Sequence, residues 1–267
     1  MGFGKPAANV QTMDDGRRRR LGAETDLPPG FDVVVLRESK DALEHAVAVA
    51  AESGAGTLVQ VGRFDLLELA LVLEPDEPLS GARRVLYAAM NAMGDALAAV
   101  LPPEKPVSFE WPDTIRIDGG VVGGARLVWP ESASEDDPPA WLVAAMSIRI
   151  VLPLAGGAVN PYDVTARDGT SLEIEGIEQI ESRALMSSFC RYLLLQLDGW
   201  RETGFDHVAR AYLSRLPHDR ARRRVIADNG DLVECGVDRG HEIARSGLAA
   251  ALGAPRWRDP HSGEPWI

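Results

Sequence analysis

Phe109-Glu110-Trp111-Pro112-Asp113-Thr114-Ile115-Arg116-Ile117-Asp118-Gly119-Gly120-Val121-Val122-Gly123-Gly124-Ala125-Arg126-Leu127 is the stretch whose reading decides the fold. Ile115 and Ile117 alternate with Thr114, Arg116 and Asp118, the period of two expected of a half-buried strand. Asp118-Gly119 reads as a tight hairpin turn, because glycine takes positive φ without a steric cost. Trp111-Pro112-Asp113 falls inside the first strand. Proline has no N–H for a ladder, so it demands an edge, a bulge or a strand end. Gly123-Gly124 leaves the return strand without side chains, and another backbone or a ligand can come close there.

The same rules extend outward. Upstream, Phe31 to Arg37 reads as a β-branched strand and Ala42 to Ala50 as a helix with Ser39 as N-cap and Gly54 as its stop. Thr57 to Val61 is a second strand. The apolar run Leu66 to Leu73 fits a third, covered on both faces. A long helix runs from about Glu77 to Val100 and ends at Pro102-Pro103. Downstream come an acidic loop (131–139), a strand from Trp141 to Leu152, and a Gly-rich loop (155–175). An amphipathic helix (178–201) and a shorter one (205–216) follow. The last fifty residues read as separate. They hold a hairpin with an Asn229-Gly230 turn, a short helix from about His241 to Leu252, and a tail with Trp257 and Trp266 strapped onto the surface. The expected division is a disordered leader (1–27), a main domain (28–217) and a small C-terminal domain (218–267).

The chain has 267 residues, 45% of them hydrophobic and 25% charged, which is ordinary globular composition. Its net charge of −12 argues against nucleic acid or an anionic membrane as partner. The two cysteines, Cys190 and Cys235, suit a reducing cytoplasm better than a disulfide framework. No apolar run is long enough to span a bilayer, and Arg17 to Arg20 have no apolar stretch beside them that would make a secretory signal. No spacing of histidines and cysteines suggests a metal. Nucleophile-elbow, Walker and dinucleotide motifs are missing, and Cys190 reads as a packing residue.

The order of elements resembles the biotin and lipoate protein ligase superfamily, over roughly residues 28 to 235. Trp111-Pro112-Asp113, Asp118-Gly119 and Gly123-Gly124 are similar to that family's Lys-Trp-Pro-Asn-Asp … Gly-Lys-Lys-x-x-Gly hairpin. Trp200 to Phe205 with Tyr212-Leu213 is similar to its closing helix pair. The resemblance implies an α+β fold, a mixed or antiparallel sheet with helices packed on it, plus a small C-terminal β-hairpin and helix. It implies a reaction as well: ATP activates a carboxylate cofactor (biotin, lipoate or a related acyl group) as an acyl-adenylate, and the acyl group passes to a lysine of a biotinyl- or lipoyl-type carrier domain. Cations must then face the phosphates and the anhydride oxygens.

The sequence departs from the family where that chemistry is done. Gly120-Val121-Val122-Gly123-Gly124 holds no lysine where the family's catalytic lysine belongs, and Glu110 replaces the lysine before Trp-Pro. Only Gly62-Arg63-Phe64-Asp65 stands where the adenylate loop belongs. Lys5, Lys40 and Lys105 are the only lysines, and none lies in a motif. The candidate substrate-binding residues are therefore Arg63, Trp111, Asp113, Arg116, Gly123, Gly124, Arg126 and Arg149, with no catalytic residue assigned. Arg126 and Arg149 sit on neighbouring strands, where they can converge on one pocket. Three readings follow. The first is a divergent ligase-like protein that binds an acyl cofactor, or transfers it from a preactivated donor, without normal adenylation. The second is a non-catalytic scaffold that binds a protein partner through the groove. The third is an active ligase with Arg126 in place of lysine.

Overall fold

The structure is a computed structural model, and it describes residues 27–152, 169–177, 180–236 and 241–265. The expected leader, most of the Gly-rich loop and Trp266 lie outside the described residues. The chain begins with β1 (Asp32–Leu36), α1 (Ala42–Ser53), β2 (Thr57–Val61) and β3 (Leu66–Leu73). The long helix is divided into α2 (Leu79–Ala82) and α3 (Val85–Ala98). β4 (Val107–Glu110), β5 (Thr114–Ile117), β6 (Gly120–Val128) and β7 (Leu142–Arg149) follow. Then come α4 (Ser182–Thr203), α5 (Asp206–Ser214), β8 (Arg222–Ile226), β9 (Leu232–Gly236), β10 (Glu242–Ser246) and α6 (Leu248–Leu252).

Seven strands form one sheet in the order β1-β2-β3-β7-β6-β5-β4. Only β1 and β2, joined through α1, run parallel; every other pair is antiparallel. The expected mixed sheet with helices packed on it is therefore what the chain forms. β3 is an interior strand, between β2 and β7. Leu67, Leu69, Leu71 and Leu73 face the helical layer, while Ala70 and Val72 face α1. Both faces are apolar, so the run reads as continuous rather than alternating.

α3 is wedged between the sheet and the pair α4 and α5, so it is buried on almost every side from Val85 to Leu97. Its buried Asn91 donates from Nδ2 to the Val208 carbonyl of α5 at 3.0 Å, which ties the two helices together. On the opposite face α1 covers Val59, Val61, Val143 and Ala145. Cys190 is buried in the helical core, and burial pushes its thiol up to about 12, which fits a packing role.

Three local expectations are corrected. Asp41, not Ser39, caps α1; its carboxylate accepts the Glu44 N–H at 2.8 Å. Trp111-Pro112-Asp113 does not interrupt a strand but turns the chain between β4 and β5, so proline occupies a place where no ladder donor is needed. The stretch from His241 opens as strand β10, paired with β9, before the short helix α6 begins. Asp231 starts that helix by accepting the Leu248 N–H at 3.0 Å.

Candidate functional site

The turn at Trp111-Pro112 is held from the helical side. The Trp111 indole donates to the Tyr87 hydroxyl at 3.0 Å, and the Tyr212 hydroxyl donates to the Pro112 carbonyl at 2.9 Å. Trp111 thus packs into the helical core and does not line a groove on the other face. Arg116 is also spoken for. It pairs with Glu110 at 2.9 Å and donates to the Gly119 carbonyl at 2.7 Å, which braces the edge hairpin.

The double glycine has a different use from an open ligand floor. A Cβ at Gly123 would run into the Ser147 carbonyl of β7, and one at Gly124 would meet the Asp113 carbonyl and the Trp257 indole. Bare backbone lets the strands and the C-terminal tail close over this point. Trp257 is 1% exposed and lies on Gly124. Beside it Asp113 is 2% exposed. Burial pushes its carboxyl up to about 7, against the opposing pull of Thr114 and the Trp257 indole.

The tail then folds back as a small loop, bridged between Arg258 and Pro265. Its Glu264 reaches two of the three remaining candidate cations. It pairs with Arg63 at 2.6 Å and with Arg149 at 3.0 Å. Arg149 is fully buried and is further compensated by the Pro265 carbonyl at 3.0 Å and by Asp65 at 3.6 Å. Arg63 also donates to both oxygens of Asp65, at 2.9 and 2.7 Å, which holds that carboxyl below the usual range. Arg149, expected to share a pocket with Arg126, meets Arg63 instead, on the chain's own Glu264 carboxylate. Glu264→Gln is expected to cost about 1–3 kcal/mol, the penalty of leaving a buried donor short of its partner, as read from urea unfolding.

Arg126 is different. It projects into a cavity of about 420 Å³ between the start of α1, the strands β3, β6 and β7, and the tail. Ser39, Arg63, Glu68, Ser147, Arg258 and Glu264 are among its lining residues. Glu68 accepts the Ala42 N–H at 2.7 Å, and burial raises its carboxyl above the usual range. Among the described residues no ion pair or hydrogen bond reaches the Arg126 side chain. Partial burial, and next the neighbouring Arg258, lower its basicity, while Asp41 acts the other way. Sequence reasoning did not single out Glu68, Ser147, Arg258 or Glu264, and named Trp257 only as part of a tail strapped onto the surface. The only advance signal was a tail rich in tryptophan and proline. Among the described residues there is no group of three or more metal-ligating side chains, and no helix long and apolar enough to cross a membrane.

Known proteins agree with this architecture. Residues 27–214 match the model of the biotin/lipoate A/B protein ligase family. The chain belongs to that family. A biotin–[acetyl-CoA-carboxylase] ligase of Paracoccus denitrificans is 27% identical over 179 residues, covering 64% of this chain and 68% of the relative. A biotin protein ligase-like protein of unknown function from a Silicibacter species superposes with a TM-score of 0.68 at 23% identity, covering 81% of this chain and 95% of that one. The apo biotin protein ligase of Aquifex aeolicus gives 0.60 at 15% identity, covering 81% and 99%. At these identities the two structures speak for the fold. Within it, the segment between β2 and β3 is only the four residues Gly62, Arg63, Phe64 and Asp65. Val121 and Val122, in the hairpin stretch where the family carries its lysine, are buried in β6.

Proposed function

We propose that this ligase-family chain binds a small carboxylate cofactor in the cavity beside the double glycine and does not activate it with ATP. One observation carries the reading. The β2–β3 link is four residues long and is tied down by the Arg63–Asp65 and Arg63–Glu264 pairs, yet a formed polar cavity stands next to it. Enclosing a nucleotide takes a loop with free donors to meet the phosphates. This link is too short to enclose one, and its arginine is already engaged. A carboxylate asks for much less, a single uncompensated cation in a partly dry site, and Arg126 supplies that.

The tail weighs against the scaffold reading. Trp257 lies on Gly124 and Glu264 is bound to Arg63, so a carrier domain approaching the glycines would meet the strap first. Purified protein is expected to show no exchange of pyrophosphate into ATP above background with biotin, lipoate or octanoate. Exchange at the rate of a working ligase assayed in parallel would overturn the proposal and revive Arg126 as a substitute for lysine.

A further inference from the structure

We propose that the chain carries a separate binding site, for a phosphate monoester borne on an apolar group, at the N-terminus of α4. The site is a cavity of about 840 Å³ where the ends of β1 and β2 meet the start of α4. It shares no lining residue with the cavity at Arg126. Gln60, which lines it, alternates along β2 with Val59 and Val61, and those two face α1. Gln60 therefore points to the other face of the sheet, the side on which Leu58 joins the helical core. The size is that of a small-molecule site.

Two independent observations point to a ligand there. The first is Gln60. It is 7% exposed, and among the described residues its side-chain amide has no hydrogen-bond partner. A buried amide without a partner weighs against the fold, and this one opens on the cavity, where an anion can accept its Nε2–H. The second is the charge around it. α4 is 22 residues long and no side chain caps its start, so the positive end of its dipole is open to an anion. Arg37 and Arg183 line the same cavity, and among the described residues neither side chain has an ion pair or a hydrogen bond. Their planar forks match phosphate oxygens. Glu181 is the one carboxylate of the lining, so the wall is net positive in a chain whose net charge is −12. The rest of the wall is apolar and includes Val35, Ile180 and Phe64, which is 73% exposed. An anionic head at the helix end and an apolar body against Phe64 satisfy both parts.

The test is calorimetric titration of the full chain with phenyl phosphate, inorganic phosphate and benzyl alcohol. Phenyl phosphate is expected to bind, inorganic phosphate to bind about tenfold more weakly for want of the buried ring, and benzyl alcohol not to bind. Arg37→Ala and Arg183→Ala change exposed side chains and leave the fold intact. Each is expected to weaken phenyl phosphate about ten- to a hundredfold, the share of a charge-assisted hydrogen bond. Gln60→Met keeps the volume and removes the unpaired amide, so its ligand-free Tm is expected to be equal or higher while the affinity falls. No binding of phenyl phosphate would overturn the inference, and so would inorganic phosphate binding equally well. Affinity unchanged in both arginine variants, or lost instead in Arg126→Gln, would put the phosphate outside this cavity and overturn it too. A large fall in ligand-free Tm for Gln60→Met would mean that the amide is already paired within the fold, with the same consequence.

Discussion

Trp257→Ala is expected to destabilise the protein by about 3–5 kcal/mol, the range for deleting a large buried aromatic side chain. The indole is 1% exposed and lies on the bare backbone of Gly124. Gly124 beneath it has no side chain to fill its place. The loss would propagate along the tail. With Trp257 gone, Glu264 and the Pro265 carbonyl are left to hold the loop to Arg63 and Arg149 of the sheet layer. Urea unfolding read by fluorescence gives the stability, and the same variant should lose ligand-induced stabilisation because Arg258 leaves the cavity wall. Gly124→Ala is a check from the other side. A methyl group there meets the indole and the Asp113 carbonyl, so it should destabilise in the same direction. A cost below about 1 kcal/mol for Trp257→Ala would mean that the tail is laid on the surface loosely and is not part of the fold.

Asp113 gives the second large effect, through pH. Its carboxyl is pushed from 3.8 up to about 7 by burial. A carboxyl with a raised native pKa binds its proton more tightly when folded, so stability falls as pH rises between the two values. Below about pH 4 the group is protonated in both states and carries no penalty. The penalty builds between pH 4 and 7 and is complete above 7. A shift of roughly three units corresponds to about 4 kcal/mol. Asp113→Asn keeps the shape and removes the charge. The stability of this variant minus that of the parent is therefore expected to grow by about 4 kcal/mol from pH 4 to pH 8, with no further change above that. Taking the difference matters, because carboxyls such as Asp65 and Glu234 are lowered by their arginines and act in the opposite direction. A flat difference would mean that Asp113 is solvated rather than sealed under Trp257.

The fold was legible wherever local pattern and tertiary packing agree. Asp118 and Gly119 both take positive φ, at 49° and 88°, and make the hairpin turn that the Asp-Gly pair announces. The unbroken apolar run of β3 announces a strand covered on both faces, and β3 has one apolar face on the helical core and the other on α1. β10 escaped notice because all five of its residues are exposed, so no burial period marks it as a strand.

The site was less legible for a related reason. Arg149 looks like a ligand cation until its partner is found 115 residues downstream in Glu264, a distance at which no spacing rule operates. The resemblance of the Trp-Pro hairpin put Trp111 in the groove, and the sequence does not say that Tyr87 and Tyr212 hold that turn from the helical side. Gly123 and Gly124 were read correctly as a place of close approach. What approaches Gly124 is Trp257, and that was hidden in a tail without period or motif.

The most direct measurement is a calorimetric titration of the full chain with a carboxylate ligand, repeated with and without magnesium and ATP. If the cavity receives the carboxylate and leaves it unactivated, the affinity is the same in both titrations and no acyl-adenylate is found bound by mass spectrometry. A marked tightening with ATP, together with an acyl-adenylate held by the protein, would contradict the account.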